Sequence, residues 1–412
     1  MSRLAPRFSR VESWRRACDL VAGLMSDLPR KNCWTIAEHA GHVSPDGLQH
    51  LLARASWDQD GVRDDLRDYV LAGLGDGGII VVDETGDLKK GTRTVGVQRQ
   101  YTGTAGRIEN AQVAVYLTYA TDAGHAFIDR ELYLPRCWTD DRQRMTVAGV
   151  PDDVGFTSKP QLAKRMIARA IDSGVAAAWV TGDEVYGAST DLRAELEKRQ
   201  LRYVLAVACD HQVATGAGKL RADQIAKQLP AKAWQRLSAG AGAKGPRWYA
   251  WAMVDIDTAD QPPHRWLLIR RNHSTGELAY YRCHAPHPVP LGELVTVAGR
   301  RWTVEESFQA GKGLCGLDEH QVRTWISWQR WTILAMTAHA FLTVLAAHER
   351  STRPAPDEMI PLTCNEIKHL INALGTRPPR GPSHCLHWSA WRRRRQHHSR
   401  LCHYRRRGAE PP

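Results

Sequence analysis

Gly78-Ile79-Ile80-Val81-Val82-Asp83 predicts a central strand of this protein. Four consecutive β-branched residues between glycine and an acid are typical of a strand that is buried on both faces. A second apolar stretch, Ala177–Thr181, precedes Gly182-Asp183 in the same way. Because strands buried on both faces belong to sheets that are covered by helices, the two stretches predict an α/β fold.

The elements around these strands predict a sheet of mixed direction. Three segments with alternating polarity follow the first strand without an intervening helix, which is typical of a meander: Thr94–Thr102, Val113–Ala120 and Ala126–Leu134. Predicted helices and strands then alternate: helix Gln161–Ser173, strand Ala177–Thr181, helix Thr190–Arg199 and strand Tyr203–Val207. Three more predicted strands lie in an aromatic-rich stretch: Arg247–Val254, Arg265–Arg270 and Glu277–Arg282.

Helices are predicted before and after this sheet. Residues 10–72 have helical periodicity, and Asn32–Ala40, Gly41 and Ser44-Pro45-Asp46 predict two short helices joined by a tight turn. This pair is either a DNA-docking helix-turn-helix or a plain helical hairpin. Trp331–Ala347 is almost wholly apolar, but charged residues crowd both ends, which favours a buried core helix over a membrane span. We therefore expect no membrane association.

Composition limits the class of protein. The 412 residues are 43% hydrophobic and 24% charged, which excludes collagen-like, coiled-coil and wholly disordered chains. Lys and Arg outnumber Asp and Glu by 56 to 44, and Trp388–Arg407 holds eight arginines and no acid. We expect this basic tail, in a loosely packed proline-containing C-terminal region, to stay solvated until it meets a polyanion. Nucleic acid is the favoured partner, and the alternatives are RNA, an anionic lipid surface or a tail that serves only solubility.

The N-terminal sequence and the cysteines indicate a compartment. No apolar secretory segment is visible near the N-terminus, and the nine cysteines have no framework spacing. We therefore expect a cytosolic, reduced protein. The histidines and cysteines of the C-terminal region do not match an established zinc pattern, so the arginines explain that region better as a phosphate clamp.

Three acidic residues are candidates for chemistry. Asp83 and Asp183 follow buried strands, and carboxyl ends of neighbouring strands converge at the ligand-binding edge of a sheet. Glu305 falls on one helical stripe with Arg301 and Lys312, which suits a site for a hard cation and phosphates. The plainer alternatives are turn-forming aspartates and a surface Arg301–Glu305 ion pair. The adjacent Glu84, Glu184 and Glu306 are expected to point elsewhere.

These residues stand in motifs that resemble those of the DDE transposases of bacterial insertion sequences. The similarity runs from about residue 30 to 347 and includes Asp83-Glu84-Thr85-Gly86, Gly182-Asp183-Glu184-Val185-Tyr186-Gly187 and Arg301-Trp302-Thr303-Val304-Glu305. Arg301, Glu305 and Lys312 keep the spacing of a Tyr-x2-Arg-x3-Glu-x6-Lys signature, in which Ala298 replaces the tyrosine.

The resemblance implies a ribonuclease H-like mixed sheet with helices, interrupted by a β-rich insertion and preceded by a helical N-terminal domain. It implies that Asp83, Asp183 and Glu305 are the catalytic residues and hold two Mg²⁺ ions, for which Mn²⁺ can substitute. It further implies DNA contacts from Arg301 and Lys312, and we add Lys89 and Lys90, which follow the first strand. Trp248, Trp251 and Trp266 either stack on unpaired bases or fill a small core of the insertion.

We accordingly expect five regions. They are a helical DNA-end-binding domain (1–74), the first part of the core (75–210), the β-rich insertion (211–295), a helical part with the catalytic Glu (296–350) and a basic C-terminal region (351–412). The expected protein is a cytoplasmic transposase, nucleoid-associated when bound, that forms a homodimer on terminal inverted repeats and joins them to target double-stranded DNA. The alternatives are a domesticated DNA-binding regulator and a ribonuclease H-like nuclease without strand transfer.

Overall fold

A central sheet carries both strands that the sequence predicts to be buried. The computed structural model describes residues 1–216, 218–242, 245–256, 264–375 and 381–406. The first six strands, numbered in chain order, are β1 (Ile79–Leu88), β2 (Gln98–Thr102), β3 (Arg107–Ala120), β4 (His125–Leu132), β5 (Trp179–Gly182) and β6 (Tyr203–Val207). β3 pairs antiparallel with β1, β2 and β4, whereas β5 pairs parallel with β1 and β6. The order β4-β3-β1-β5-β6 is that of a ribonuclease H-like sheet, which confirms the predicted fold class.

The strands of residues 211–295 extend this sheet. They are β7 (Gln212–Thr215), β8 (Gly218–Arg221), β9 (Gln235–Gly242), β10 (Gly245–Asp255), β11 (Arg265–Arg271) and β12 (Leu278–His284). β7 and β8 form a separate hairpin, but β12 pairs antiparallel with β6, and β11, β10 and β9 follow in order. The β-rich segment thus shares the sheet and one hydrophobic core with β1 and β5.

Fifteen α-helices surround the sheet in the described part of the chain. Those before β5 are α1 (Val11–Leu24), α2 (Cys33–Ala40), α3 (Asp46–Ala53), α4 (Gln59–Leu74), α5 (Arg136–Thr139), α6 (Arg142–Val147) and α7 (Lys159–Asp172). Those between β5 and α12 are α8 (Glu184–Gly187), α9 (Thr190–Lys198), α10 (Ala222–Gln228) and α11 (Leu291–Arg300). The last are α12 (Thr303–Cys315), α13 (Trp325–Thr352), α14 (Cys364–Leu374) and α15 (Pro382–Arg406), and two short 3-10 helices are Ser2–Arg7 and Ala231–Ala233.

Helix α13 forms the middle of the largest hydrophobic core. It packs against six other elements, which are α1, α3, α4, α12, α14 and β4. It is the one described helix that is long and apolar enough to cross a membrane, and 78% of its most apolar window is buried inside the protein. The prediction of a core helix over Trp331–Ala347 is therefore confirmed.

The basic C-terminal region differs from the expected solvated tail. Helix α15 begins against the N-terminal helices, where the buried Trp388 donates a hydrogen bond from Nε1 to the His42 carbonyl at 2.9 Å. Arg392 also pairs with Glu38 of α2 at 2.6 Å. The aromatic and charged contacts of its first turns hold the helix in place, and its arginines remain exposed. Arg407 and residues 378–380 lie outside the described residues.

Candidate active site

Asp83 and Asp183 lie side by side because β1 and β5 are parallel neighbours. Their pairing ends at Val82 and Gly182, one residue before each aspartate. The sequence predicted that β1 ends at Asp83, but the strand continues to Leu88 because β3 stays paired with it as far as Leu88. Asp183 leaves β5 and caps α8, where its Oδ1 accepts a hydrogen bond from the Val185 amide at 2.9 Å. The two carboxylates therefore meet where the parallel pairing stops.

Glu84 joins the two aspartates in one acidic group. Asp83, Glu84 and Asp183 each offer a carboxylate oxygen, and these oxygens lie within 4.8 Å of one another. The expectation that Glu84 points away to the opposite face is therefore wrong. Its other contacts explain the position, because Lys159 Nζ and Tyr186 Oη each donate a hydrogen bond to the Glu84 carboxylate at 2.6 Å. Carboxylate oxygens in such a group are suitable ligands for a hard divalent cation.

The acidic group holds more negative charge than its surroundings compensate. Burial, followed by the charges of Asp183 and Glu84, raises the pKa of Asp83 to about 8. Burial and then the charge of Glu84 also raise the pKa of Asp183. Bringing carboxylates together out of water disfavours their ionised forms, and a bound cation reverses that cost.

Glu305 lies outside this group and is linked to it through Arg301. Arg301 Nη1 lies 3.8 Å from Asp83 Oδ2, and Arg301 Nη2 lies 3.1 Å from Glu305 Oε1. The guanidinium thus lies against both carboxylates. The sequence placed Arg301 and Glu305 on one continuous helix, but α11 ends at Arg300 and α12 begins at Thr303, so the pair spans the junction of two helices.

Two of the three predicted phosphate-binding lysines, like Arg301, have partners inside the protein. Lys312 Nζ lies 3.2 Å from Asp87 Oδ1 and donates a hydrogen bond to the Gly86 carbonyl at 3.1 Å. Lys89 Nζ donates to the Asp318 and His320 carbonyls at 3.0 and 3.1 Å. Both lysines therefore fasten α12 and the loop after it to the end of β1, while Lys90 is exposed.

Asp87 is the buried partner that receives these cations. Its second carboxylate oxygen lies 3.3 Å from His320 Nε2. Burial alone would raise the pKa of Asp87, but the hydrogen bond from His320 and the charges of Lys89 and Lys312 outweigh it and leave the pKa well below its usual range. The network fixes the helix that carries Glu305 relative to the strand that carries Asp83.

The three predicted tryptophans have different environments. Trp251 and Trp266 are 1% and 4% exposed and pack in the same core as Ile79 and Val204. Because both rings are buried, neither can stack on a DNA base in this structure. They fill the common core of the sheet and not a small core of an insertion. Trp248 is 47% exposed and lies beneath the Arg236 guanidinium, 5.1 Å from the ring centre.

Sequence reasoning missed Lys159, Tyr186 and Asp87 as parts of the site. Tyr186 and Asp87 stand next to the motifs that identified Asp183 and Asp83, so their proximity in sequence was an available signal. Lys159 begins α7, and no local pattern connects it with Glu84. Its role depends on how α7 packs against the sheet.

A family model described as "DDE superfamily endonuclease" matches residues 3–251, which include Asp83 and Asp183. The chain belongs to the DDE superfamily endonuclease family. The matched span thus covers the two aspartates that follow the parallel pairing of β1 and β5, whereas Glu305 lies beyond it. The family identity agrees with an acidic site at this edge of the sheet.

Two further similarities are more limited than the family match. The chain is 32% identical over 209 residues to the "Probable transposase for insertion sequence element IS701" of Microchaete diplosiphon. That similarity covers 50% of this chain, and the chain spans about half of the relative, 52% of its length. A cryo-EM structure of the piggyBac transposase synaptic complex with hairpin DNA overlaps with a TM-score of 0.44 and 12% identity, covering 92% of this chain and 75% of that one.

The raised pKa of Asp83 predicts how the stability of the metal-free protein depends on pH. Between its ordinary value of 3.8 and about 8, Asp83 holds a proton in the folded chain and has lost it in the unfolded chain. The parent should therefore lose stability relative to Asp83→Asn as pH rises, by up to about 1.4 kcal/mol per pH unit. Urea unfolding in EDTA at several pH values measures this difference. A stability difference between the parent and Asp83→Asn that stays constant with pH contradicts this prediction. The control is Glu184→Gln, because Glu184 is an exposed neighbour of Asp183.

Lys312 and Lys90 should differ sharply when each is changed to methionine. Lys312→Met leaves the buried Asp87 with only the His320 contact and the more distant charge of Lys89, and should lower the free energy of unfolding by about 3 kcal/mol. Lys90→Met removes an exposed charge and should change it by less than about 0.5 kcal/mol. Denaturant unfolding without DNA or metal measures both. Equal stabilities of the two variants would show that Lys312 has no structural role.

Proposed function

We propose that this chain is a DNA transposase that cuts strands at the ends of an insertion sequence and transfers them into target DNA. The observation that carries the proposal is the meeting of Asp83 and Asp183 where the parallel pairing of β1 and β5 stops. Membership of the DDE superfamily endonuclease family supports it. The relative from Microchaete diplosiphon, itself described as a probable transposase, supports it further.

The proposed cofactors are two Mg²⁺ ions, with Mn²⁺ as a substitute. Carboxylate oxygens of Asp83, Glu84 and Asp183 lie within 4.8 Å of one another and suit such ions because their charge is poorly compensated, whereas Glu305 lies outside that group. Asp83 and Asp183 are the proposed ligands, with Glu305 as the third. Bound there, divalent ions would activate a water molecule or a DNA 3′-hydroxyl and stabilise the oxygen that leaves phosphorus.

Arg301 has two proposed tasks at this site. In this structure its guanidinium lies against Asp83 and Glu305 and offsets part of their charge. Its planar donors also suit the oxygens of a DNA phosphate. We propose that Arg301 moves from Asp83 to the phosphate next to the cleaved bond when DNA binds, which leaves Glu305 available beside the aspartates.

Glu84 has a proposed positioning role. Lys159 and Tyr186 already donate hydrogen bonds to its carboxylate oxygens at 2.6 Å, and the Lys159 charge offsets part of its own. Its negative charge still helps to raise the pKa of both aspartates. Glu84 therefore tunes and orients the acidic group from the side that the α7 helix covers.

The proposed partners are the terminal inverted repeats of the element and the target, both as double-stranded DNA. An element has two ends, and a homodimer with one active site for each end is the proposed assembly. We propose that the reaction occurs in the cytoplasm, at the nucleoid. The helical N-terminal region and the basic C-terminal region are the proposed DNA-end-binding parts.

Cleavage of duplexes that carry the inverted repeats bordering the gene tests the proposed function. With Mg²⁺ the parent should nick at the repeat end, and Asp83→Asn and Asp183→Asn should each be slower by about a thousandfold, which corresponds to about 4 kcal/mol. Glu184→Gln should cleave like the parent. Unchanged cleavage by either Asp variant contradicts the mechanism, and cleavage without joined products when target DNA is added indicates a nuclease.

Two glutamates compete for the third ligand position, and paired variants separate them. Glu305→Gln should lose about a thousandfold in cleavage rate, because it removes a carboxylate from the metal site. Glu84→Gln should lose less than about tenfold in cleavage rate, because Lys159 and Tyr186 already bond to its carboxylate oxygens. The control is Glu306→Gln, since Glu306 pairs with His125 in the parent. The opposite order of Glu305 and Glu84 would assign the third ligand to Glu84.

A further inference from the structure

A basic groove lies between five segments of the chain. It has a volume of about 960 Å³ and is bordered by the chain before α2, Gln49 of α3, the end of β1, the loop before α13, and α15. Its cationic lining residues are Arg30, Lys89, Lys90, Arg323 and Arg395. We propose that this groove binds the sugar–phosphate backbone of duplex DNA beside the cleaved end. The inference rests on the proposed function and names a surface for its substrate.

Helix α15 is anchored so that its basic side borders the groove. Trp391 packs edge-on against Trp34 of α2, with ring centres 4.8 Å apart, one turn before Arg395. Trp388 is buried one turn earlier against the chain that follows α2. The C-terminal arginines are therefore presented by a docked helix, which lowers the conformational entropy that they lose on binding.

The charge of the groove favours a polyanion. Only two acidic residues are among the described lining residues, Asp318 and Glu319. Glu319 is already engaged, because its Oε2 accepts a hydrogen bond from the Lys31 amide at 2.6 Å. Arg30, Lys90, Arg323 and Arg395 are exposed at the rim, where cations can meet phosphates.

The uncharged lining residues favour a duplex over an unpaired strand. Asn32, Gln49 and Gln321 contribute amide groups, which bond to phosphate and sugar oxygens. Among the described residues that line the groove there is no Trp, Tyr or Phe on which an unpaired base could stack. A rim of cations and amides without such a platform matches the backbone of double-stranded DNA.

Strand β1 sets the distance between the groove and the acidic group. Asp83 and Lys89 are six residues apart along a nearly continuous strand, which spans roughly 20 Å at about 3.3 Å per residue. At about 3.4 Å per base pair, that span equals about six base pairs. A duplex whose end lies at Asp83 therefore reaches the groove within one helical turn.

Salt-dependent binding tests the groove separately from catalysis. The probe is a labelled random-sequence duplex of about three helical turns, titrated with the full-length protein in EDTA over a series of KCl concentrations. The test variant carries Arg30→Gln, Arg323→Gln and Arg395→Gln. The matched control carries Arg165→Gln, Lys198→Gln and Lys232→Gln, which remove the same charge from exposed positions outside the groove lining and outside the N-terminal and C-terminal regions.

The test variant should bind more weakly, and its slope of log K against log [salt] should be shallower by about 2.7, at about 0.9 for each lost phosphate contact. The control should keep the parental slope to within about 0.9, the value of one phosphate contact. Equal losses in both variants, or no loss in the test variant, overturn the groove. Stronger competition by single-stranded DNA or by duplex RNA than by duplex DNA also overturns it.

Catalytic and folding effects are separable in the same proteins. Urea unfolding should give both triple variants the parental midpoint, and Asp83→Asn should keep the parental salt slope. If the parent cleaves and the groove variant binds duplex DNA as well as the parent does, the groove proposal is refuted and the proposed function stands. A parent that binds no duplex at any salt concentration refutes both.

Discussion

The parallel pairing of β1 with β5 is the constraint on which the rest of the site depends. It ends one residue before Asp83 and Asp183 and so forces two carboxylates together in a mostly buried position. Glu84 adds a third, and the pKa of Asp83 rises to about 8 as a result. An arrangement that costs the metal-free fold stability is expected at functional sites, where a ligand repays the cost.

Charged side chains from neighbouring helices surround Asp83 and Asp183. Lys159 offsets part of the Glu84 charge from α7, and Arg301 lies between Asp83 and Glu305 at the junction of α11 and α12. Farther along β1, Asp87 receives Lys312 and His320 and so fixes the other end of α12. The basic groove then continues from the same strand end, so β1 connects the acidic group with the surface proposed for DNA.

Local patterns were sufficient for the strands and for the two aspartates. An apolar run followed by an acid is a short-range signal, and the rule that ligands lie at the carboxyl ends of buried strands placed Asp83 and Asp183 together. The break between α11 and α12 escaped prediction because Arg301, Glu305 and Lys312 fit one helical stripe equally well. Strand alternation likewise placed Glu84 on the far face, whereas Lys159 and Tyr186 hold its carboxylate beside the aspartates.

Long-range partners were beyond sequence reasoning. Nothing near Lys312 or Lys89 shows that each is bonded to β1 or to the loop after α12, so both resembled free phosphate-binding cations. The arginine-rich C-terminal segment resembled a solvated tail for the same reason. Trp388 and Trp391, one turn apart, were the signal that one face of this helix is docked.

Anomalous scattering from crystals soaked in Mn²⁺ shows whether Asp83 and Asp183 hold a metal ion together. We expect a peak bonded to carboxylate oxygens of both Asp83 and Asp183 at about 2.1–2.2 Å, and no such peak in crystals of Asp83→Asn. Mn²⁺ bound elsewhere, with no ion on these two carboxylates, would rule out a metal site between β1 and β5.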